Sequence, residues 1–214
     1  MAHHFFVQGS LGAGKTLLAS ILAHYWKGKV ERQGGKIELF SNYDLEDSTP
    51  MTHYTDWYRV AEAQGSICIF DEANFAFSNR KWSKYGQSVL TDVMQLTRKM
   101  KSVQIYSAPS INFVDARVRS IVEVLITARK IGDKGFQYYF YDYQTKEFMH
   151  KQFLPMYKAK KIMKLNLYDT ENMVQYFPVP QNEREGNEFF ERLEEIHDIA
   201  RGKIRIPKKE IVFA

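Results

Sequence analysis

A short glycine-rich stretch constrains the fold of this chain more than any other feature. Residues 9–16 read Gly-Ser-Leu-Gly-Ala-Gly-Lys-Thr and fit the pattern G-x-x-x-x-G-K-[ST] of a phosphate-binding loop. The apolar run 3–7 before the loop predicts a β-strand, and the apolar residues spaced along 16–26 after it predict a helix. A strand, this loop and a helix in that order are the context in which the motif binds a nucleotide.

The residue types of this loop suit an anionic ligand. Glycines let the backbone wrap around phosphates with its N–H groups pointing inward, and the helix that follows presents the positive end of its dipole. We expect Lys15 to reach the β- and γ-phosphates of ATP, and the hydroxyl of Thr16 to coordinate Mg²⁺. The residues expected to hold the nucleotide are Gly9, Ser10, Leu11, Gly12, Ala13, Gly14, Lys15 and Thr16. The alternative is a glycine turn followed by a surface lysine.

A second motif places two carboxylates at the end of a buried strand. Residues 67–70 are entirely apolar and predict such a strand, and Asp71 and Glu72 follow it directly. An acid in this place holds the magnesium shell in P-loop enzymes, a role we assign to Asp71, and Glu72 is placed to act as the general base. The adjacent pair favours an ATPase over a small-metabolite kinase, whose phosphate acceptor is a substrate hydroxyl. Solvated acids that cap a strand are the alternative.

Strands and helices alternate along most of the chain. The predicted strands are 3–7, 37–40, 67–70, 103–106 and 122–126, and the predicted helices are 16–26, 56–64 and 88–99. Two β-rich runs, 136–143 and 147–153, predict an edge hairpin. The amphipathic run 188–201 predicts a helix that buries Phe189, Phe190, Leu193, Ile196 and Ile199.

These patterns predict an α/β fold: a P-loop NTPase with a mainly parallel central sheet flanked by helices, plus a β-hairpin and a C-terminal helix. We expect residues 1–155 to form the ATPase core and 156–214 to form a basic extension packed on the same domain. The single cysteine, Cys68, is expected to be a buried core residue, and one cysteine excludes an intramolecular disulfide.

Several further motifs occur in a recognisable order. They are Leu-Phe-Ser-Asn at 39–42, Phe-Asp-Glu-Ala at 70–73, Leu-Thr-Arg-Lys at 96–99, Asn-Phe-Val-Asp-Ala-Arg-Val-Arg at 112–119 and Leu-Tyr-Asp-Thr at 167–170. Together with the phosphate-binding loop, this set resembles the zonula-occludens-toxin-like and FtsK–HerA-type ATPases, which move DNA in viruses and bacteria. The resemblance covers about residues 3–132, and it extends to viral genome-packaging ATPases.

The resemblance implies two further roles. Family members usually end the strand after the Asp-Glu strand with a glutamine that senses the γ-phosphate; Ala108 stands at that position here, and Ser107 could supply a hydroxyl instead. Family members also act as rings in which an arginine of one subunit completes the site of its neighbour. Arg119 is the first candidate for this finger, and Arg117 and Arg98 come next. A solvated surface charge is the alternative for each of them.

Charge and hydropathy bear on the partners. The net charge of +5 and the isoelectric point of about 9.1 permit binding to nucleic acid. Candidate DNA contacts are the lysines 158, 160, 161 and 164 around Tyr157, the cations 201, 203, 205, 208 and 209, and the basic-aromatic stretch 79–85. Solvated faces are the alternative for all three. No apolar run reaches the ~20 residues that a membrane span needs.

We therefore predict an oligomeric ATPase that uses ATP and Mg²⁺ and translocates double-stranded DNA, packaging a viral genome into a preformed capsid. The expected partners are other copies of the chain in a ring and a capsid or portal-site protein, in the host cytoplasm or on the virion. The rival functions are a filamentous-phage assembly or secretion ATPase at the inner membrane, a soluble P-loop kinase, and a nucleotide switch with negligible turnover.

Overall fold

The computed structural model describes residues 2–77, 89, 92–169, 180 and 182–203 of the chain. Within these residues, eight strands form one sheet in the order β3-β2-β4-β5-β1-β6-β7-β8. The strands are β1 (His4–Gln8), β2 (Glu38–Ser41), β3 (Ser48–Pro50), β4 (Ser66–Phe70), β5 (Ser102–Ala108), β6 (Val124–Ile131), β7 (Gly135–Asp142) and β8 (Phe148–Pro155). The first six strands in this order, from β3 at the edge to β6, pair in parallel. Strands β7 and β8 extend the sheet with antiparallel pairs.

Helices cover both faces of the parallel part. They are α1 (Lys15–Arg32), α2 (Trp57–Glu62), α3 (Ala73–Ala76), α4 (Ala116–Ile121), α5 (Met156–Met163) and α6 (Glu183–Ala200), and residues 92–96 are helical as well. Helix α1 packs on one face, where Val7, Ile69 and Ile105 are buried. Helices α2 and α6 pack on the other, where Phe6 and Phe70 are buried. Because both faces are covered, the central strands are largely apolar, although β5 also buries the polar residues Gln104 and Ser107.

The predicted fold class is confirmed, since the sheet is mostly parallel, carries helices on both faces and ends in a β-hairpin. Cys68 is fully buried, and burial raises the pKa of its thiol to about 11, which agrees with a core role. The division of the chain at residue 155 stays a prediction. Among the described helices, none is both long enough and apolar enough to cross a membrane.

Several boundaries differ from the predicted ones. Helix α1 continues through Gly28 to Arg32, beyond Ala23, its last buried residue. Helix α6 begins at Glu183, where the side chain of Asn182 caps it by accepting a 3.0 Å hydrogen bond from the Glu185 backbone N–H. The expectation that Ile199 is buried was wrong: it is 69% exposed, since it lies on the outer side of α6, whose packed side still reaches Met100 through Arg201.

Candidate nucleotide site

The phosphate-binding loop is shaped by glycines that other residues would not replace. Gly14 lies at φ +85°, and a Cβ there would come within 2.9 Å of the Tyr138 hydroxyl and 2.8 Å of the Phe136 ring. A Cβ on Gly9 would lie 2.5 Å from the carbonyl oxygen of Ala128. The loop is therefore held tightly between α1 and strands β6 and β7, which fixes the direction of its backbone N–H groups.

Helix α1 begins directly after this loop, at Lys15. The residue that precedes the helix, Gly14, has no side chain and therefore offers no acceptor to the first backbone N–H groups of the helix. Lys15 is only 7% exposed, and its ammonium donates a 3.3 Å hydrogen bond to the carbonyl oxygen of Ser10 in the same loop. A buried cation and uncapped N–H groups at one helix end form an electropositive recess that suits phosphate.

Asp71 joins this recess from the end of β4. Its carboxylate accepts a 2.8 Å hydrogen bond from the Thr16 hydroxyl and another from the Ser107 hydroxyl at the end of β5. The side chain of Asn42, just after β2, holds the Asp71 backbone from both sides: its amide donates to the carbonyl oxygen at 3.0 Å, and its oxygen accepts from the N–H at 2.8 Å. Hydroxyl and carboxylate oxygens converge here, and these are the ligands that Mg²⁺ prefers.

Glu72 lies next to this group in an unusual backbone conformation. Its φ of 46° places it in the left-handed region, which turns the chain from β4 into α3. Partial burial and the neighbouring Asp71 carboxylate raise the pKa of Glu72, while Lys15 acts in the opposite direction. A carboxylate with raised proton affinity beside a phosphate recess is suited to accept a proton from water.

A cavity of about 280 Å³ opens above these residues. The two motifs contribute Lys15, Thr16, Asp71 and Glu72 to its lining, and its other walls come from Leu11, Gly12, Gly14, Leu17, Tyr43, Phe136, Met163, Tyr168 and Asp169. These four polar side chains were predicted from the two motifs, and the structure brings them together. The two tyrosines and the acid Asp169 were missed as lining residues.

The segment after α5 reaches the cavity because it pairs with the loop after β2. The Glu46 backbone N–H donates to the Leu167 carbonyl at 2.8 Å, and Asp169 N–H donates to the Asp44 carbonyl at 3.1 Å. Tyr168 is thereby held against Tyr43, with their ring centres 6.3 Å apart in an edge-to-face arrangement. The Leu-Tyr-Asp-Thr motif was the sequence signal for this segment, but the motif by itself gave no position in the site.

The tyrosine hydroxyls around the loop differ in their partners. Tyr43 shares a 3.0 Å hydrogen bond with Ser20 of α1, and Tyr138 donates to the Gly14 carbonyl at 3.2 Å. Burial, and then the carboxylate of Asp71, raise the pKa of Tyr168. Tyr168 and Asp71 line the same cavity, and they interact electrostatically across it.

The arginines expected to act as a finger lie outside this cavity lining. Arg117 pairs with Asp115 at 3.0 Å, and Arg119 donates a 3.2 Å hydrogen bond to the side-chain oxygen of Asn112. Arg98 is exposed near the end of the helical residues 92–96. The structure thus places none of the three beside the phosphate loop of its own chain.

The predicted DNA contacts have different outcomes. The four lysines at 158, 160, 161 and 164 are exposed on or just after α5, and Tyr157 is 61% exposed. Arg201 is instead a structural residue, because its guanidinium donates to the carbonyl oxygens of Ala63 at 3.0 Å and Met100 at 2.8 Å. Lys203 pairs with Asp198 at 2.9 Å. The stretch 79–85 and the cations 205, 208 and 209 lie outside the described residues.

Comparisons with known proteins relate the chain to one family and to solved structures. The family described as zonular occludens toxin (Zot) matches residues 22–169. The crystal structure of the N-terminal domain of zonular occludens toxin from Neisseria meningitidis is similar at 18% identity over 79% of this chain and 100% of that one, with a TM-score of 0.56. The genome packaging NTPase of Sulfolobus turreted icosahedral virus 2 is similar at 10% identity over 72% of this chain and 98% of that one, with a TM-score of 0.49. No curated protein matches the sequence.

Proposed function

The chain belongs to the zonular occludens toxin family, and from this premise we propose that it is an ATP-hydrolysing motor that translocates double-stranded DNA during viral genome packaging. The observation that carries the ATP-hydrolysing part of the proposal is the 2.8 Å contact between Thr16 and Asp71, which joins the phosphate-binding loop to the acidic strand end. Both motifs of a P-loop NTPase therefore meet in one cavity, with Glu72 beside them.

The residues of the cavity account for binding of the nucleotide. The backbone N–H groups of the loop surround the phosphates, and Lys15 exchanges its contact with the Ser10 carbonyl for the β- and γ-phosphates. Thr16 and Asp71 supply the oxygen ligands that would hold Mg²⁺, directly or through water, and their present hydrogen bond shows that both reach the same point. The ion neutralises charge on the phosphates when it is bound.

Hydrolysis then needs one proton transfer. Glu72 accepts a proton from a water molecule while the water oxygen attacks the γ-phosphorus, and the bond from that phosphorus to the bridging oxygen of ADP breaks. The raised pKa of Glu72 supports this role, because a stronger base takes the proton more readily. The products are ADP and inorganic phosphate.

Helix α5 supports a link from the nucleotide to DNA. Its last residue, Met163, lines the nucleotide cavity, while Lys158, Lys160 and Lys161 of the same helix are exposed. A change in the cavity can therefore move a row of cations that suits the phosphate backbone of a duplex. The assignment to genome packaging, and to a capsid or portal-site partner, rests on the resemblance of the ordered motifs to ATPases that move DNA, and of the motif at 167–170 to the viral members of that group.

A ring of subunits completes the proposal. Arg119 and Arg117 do not line the cavity of their own chain, so either would act on the cavity of a neighbour. An arginine supplied in this way stabilises the charge that develops on the transferred phosphoryl group.

The experiment is a measurement of steady-state ATP turnover with and without long double-stranded DNA, with Lys15→Ala as the inactive control. The motor requires turnover that the duplex stimulates. Tight ATP binding with no turnover under either condition would favour a nucleotide switch. The presence of Ala108 in place of the sensor glutamine is consistent with that alternative. Turnover that depends on a small hydroxyl acceptor and not on DNA would favour a kinase.

A second candidate function is an assembly or secretion ATPase of the filamentous-phage type. The family match over residues 22–169 supports it as well, because the resemblance that led to the packaging motor also covers ATPases of this type. ATP turnover that is stimulated by phospholipid vesicles or by a secretion channel, and is indifferent to duplex DNA, would replace the packaging motor with this function.

A further inference from the structure

The antiparallel part of the sheet carries an open face that the nucleotide site does not use. Ile126, Tyr138 and Phe140 pack toward α1, so the alternating residues Thr127 and Tyr139 point to the opposite face. A groove of about 480 Å³ lies on this opposite face. One end of it is bordered by Gln8, the residue directly before the phosphate-binding loop.

Tyrosines and cations both line this groove, which we call the tyrosine groove. Tyr139, Tyr141 and Tyr143 line it and are half-buried, so part of each side chain stays accessible. The Arg129 guanidinium lies 5.7 Å from the centre of the Tyr139 ring, and the Lys146 ammonium lies 3.4 Å from the centre of the Tyr143 ring. Two of the three tyrosine rings therefore have a cation within 6 Å of the ring centre.

The groove is electropositive despite one acid in its lining. The carboxylate of Asp142 accepts hydrogen bonds from the backbone N–H groups of Gln144 at 2.8 Å and Thr145 at 2.9 Å. Its oxygens are therefore bonded to the turn that follows β7. Lys151 of β8 lies opposite Tyr139 across the strand pair, so a third cation lies next to the groove. An anionic partner matches this surface.

We propose that the tyrosine groove binds a single strand of nucleic acid, with unpaired bases stacked on Tyr139 and Tyr141 and phosphates beside Arg129 and Lys146. Every base offers a flat π-face to a tyrosine, whereas the bases of a duplex are already stacked on each other and leave phosphates alone for contact. A second copy of the chain is the less suitable occupant, because it would have to place acids opposite these cations. The site goes beyond the proposed function, since it requires neither ATP nor a duplex.

The test is fluorescence anisotropy of a labelled oligothymidylate, titrated with the full chain in the absence of nucleotide. We expect the single strand to bind more tightly than a duplex of equal length. Tyr139→Ala and Tyr141→Ala should each weaken binding by about tenfold, within the range of one lost base stack. Tyr139→Phe should bind as the wild type does, because it keeps the ring. Arg129→Gln should reduce the dependence of affinity on salt.

Two control variants separate this proposal from others. Tyr25→Ala removes a tyrosine that is 58% exposed on α1, the helix on the opposite face of the sheet, and should leave oligonucleotide binding unchanged. Lys15→Ala should abolish ATP turnover and leave oligonucleotide binding intact, so failure of the groove and failure of the proposed motor give different results.

Three outcomes would overturn the proposal. In the first, Tyr139→Ala and Tyr141→Ala bind the oligonucleotide as the wild type does. In the second, Tyr25→Ala weakens binding as much as they do. In the third, the groove variants keep their affinity but lose self-association in sedimentation velocity, which would assign the groove to a neighbouring copy of the chain.

Discussion

The Thr16 hydroxyl donates a 2.8 Å hydrogen bond to the Asp71 carboxylate, although the two residues lie 55 positions apart in the sequence. Ser107 donates to the same carboxylate, and Asn42 holds the Asp71 backbone. The neighbouring strands β2, β4 and β5 thus fix one acid beside the loop that follows β1. A change in any of these polar groups should act on nucleotide chemistry before it acts on the fold.

Lys15→Ala should abolish detectable hydrolysis and weaken ATP binding, because it removes the buried cation that faces the phosphates. The measurements are steady-state ATP turnover and titration with a fluorescent ATP analogue. Lys29→Ala is the matched control, since Lys29 is exposed on the same helix. Turnover within about twofold of the wild type would refute the site, given that a tenfold change in rate corresponds to only ~1.4 kcal/mol.

Glu72→Gln should retain ATP binding while hydrolysis falls by roughly 10²–10⁴-fold, the range for a lost general base. The pH dependence gives a second readout. Burial and Asp71 raise the pKa of Glu72, so the wild-type rate should fall as the pH falls through this raised value and protonates the base. The Glu72→Gln variant should not show this fall in rate at low pH. The control Glu62→Gln, at an exposed position, should show it as the wild type does. Lost binding with high residual turnover would instead make Glu72 a structural residue.

The sequence predicted the parts of the site that depend on local order. The phosphate-binding loop and the Asp-Glu pair follow apolar strands directly, so parallel pairing brings them to the same sheet edge. The cover of the cavity was not predictable in this way. Tyr168 lines the cavity only because the residues from 167 to 169 pair with those from 44 to 46, a contact between distant segments without periodicity.

The partners of charged residues also could not be predicted from the sequence. Arg201 was grouped with the basic C-terminal residues as a DNA contact, since its neighbours in the sequence are also basic. Its position at the end of α6 instead directs the guanidinium to the carbonyl oxygens of Ala63 and Met100. The sequence gives the charge of a side chain, but the packing of the helix that carries it decides its partner.

Stability should depend on pH through His4. Burial lowers the pKa of His4 to about 4, and the neutral ring lies between the hydroxyls of Tyr106 and Thr97, each at 3.2 Å. The unfolded chain, with a pKa near 6.5, binds a proton there first, so unfolding becomes easier as the pH falls from about 6.5 to about 4. We expect a loss of roughly 1–3 kcal/mol in the free energy of unfolding.

Urea denaturation at several pH values measures this loss, and His4→Gln should flatten that part of the profile. The acid Glu123 and the neighbouring His3 also affect the pKa of His4, so Glu123→Gln is the useful second variant. A profile that is equally steep without the imidazole of His4 would assign the pH dependence to another group.

Tyr168→Phe should lower ATP turnover by about tenfold with little change in stability, because it removes a hydroxyl near Asp71 and keeps the ring that packs on Tyr43. Tyr157→Phe, at an exposed position on α5, is the matched control. Thermal unfolding checks the fold and steady-state kinetics check the rate. Unchanged turnover would limit Tyr168 to covering the cavity.

The arginine finger is tested by mixing two inactive variants. Arg119 lies outside the cavity lining of its own chain and donates to Asn112, so a role in hydrolysis requires a neighbouring subunit. In that case specific activity should rise with protein concentration as rings form. Arg119→Ala and Glu72→Gln should each be inactive alone, and their mixture should regain activity, because at some interfaces an intact arginine meets an intact Glu72.

The measurement is a steady-state ATPase titration of the two variants, pure and mixed, with duplex DNA present. Arg184→Ala, whose side chain is 88% exposed on α6, is the control and should neither lose activity nor rescue a partner. The same mixing with Arg117→Ala decides between the two arginines, and the pairing of Arg117 with Asp115 makes it the less available of them. An arginine that acts within its own subunit cannot give rescue, since every subunit in the mixture would be defective. Activity that is independent of concentration, with no rescue in any mixture, would therefore establish a self-sufficient monomer and favour the soluble enzyme over the ring.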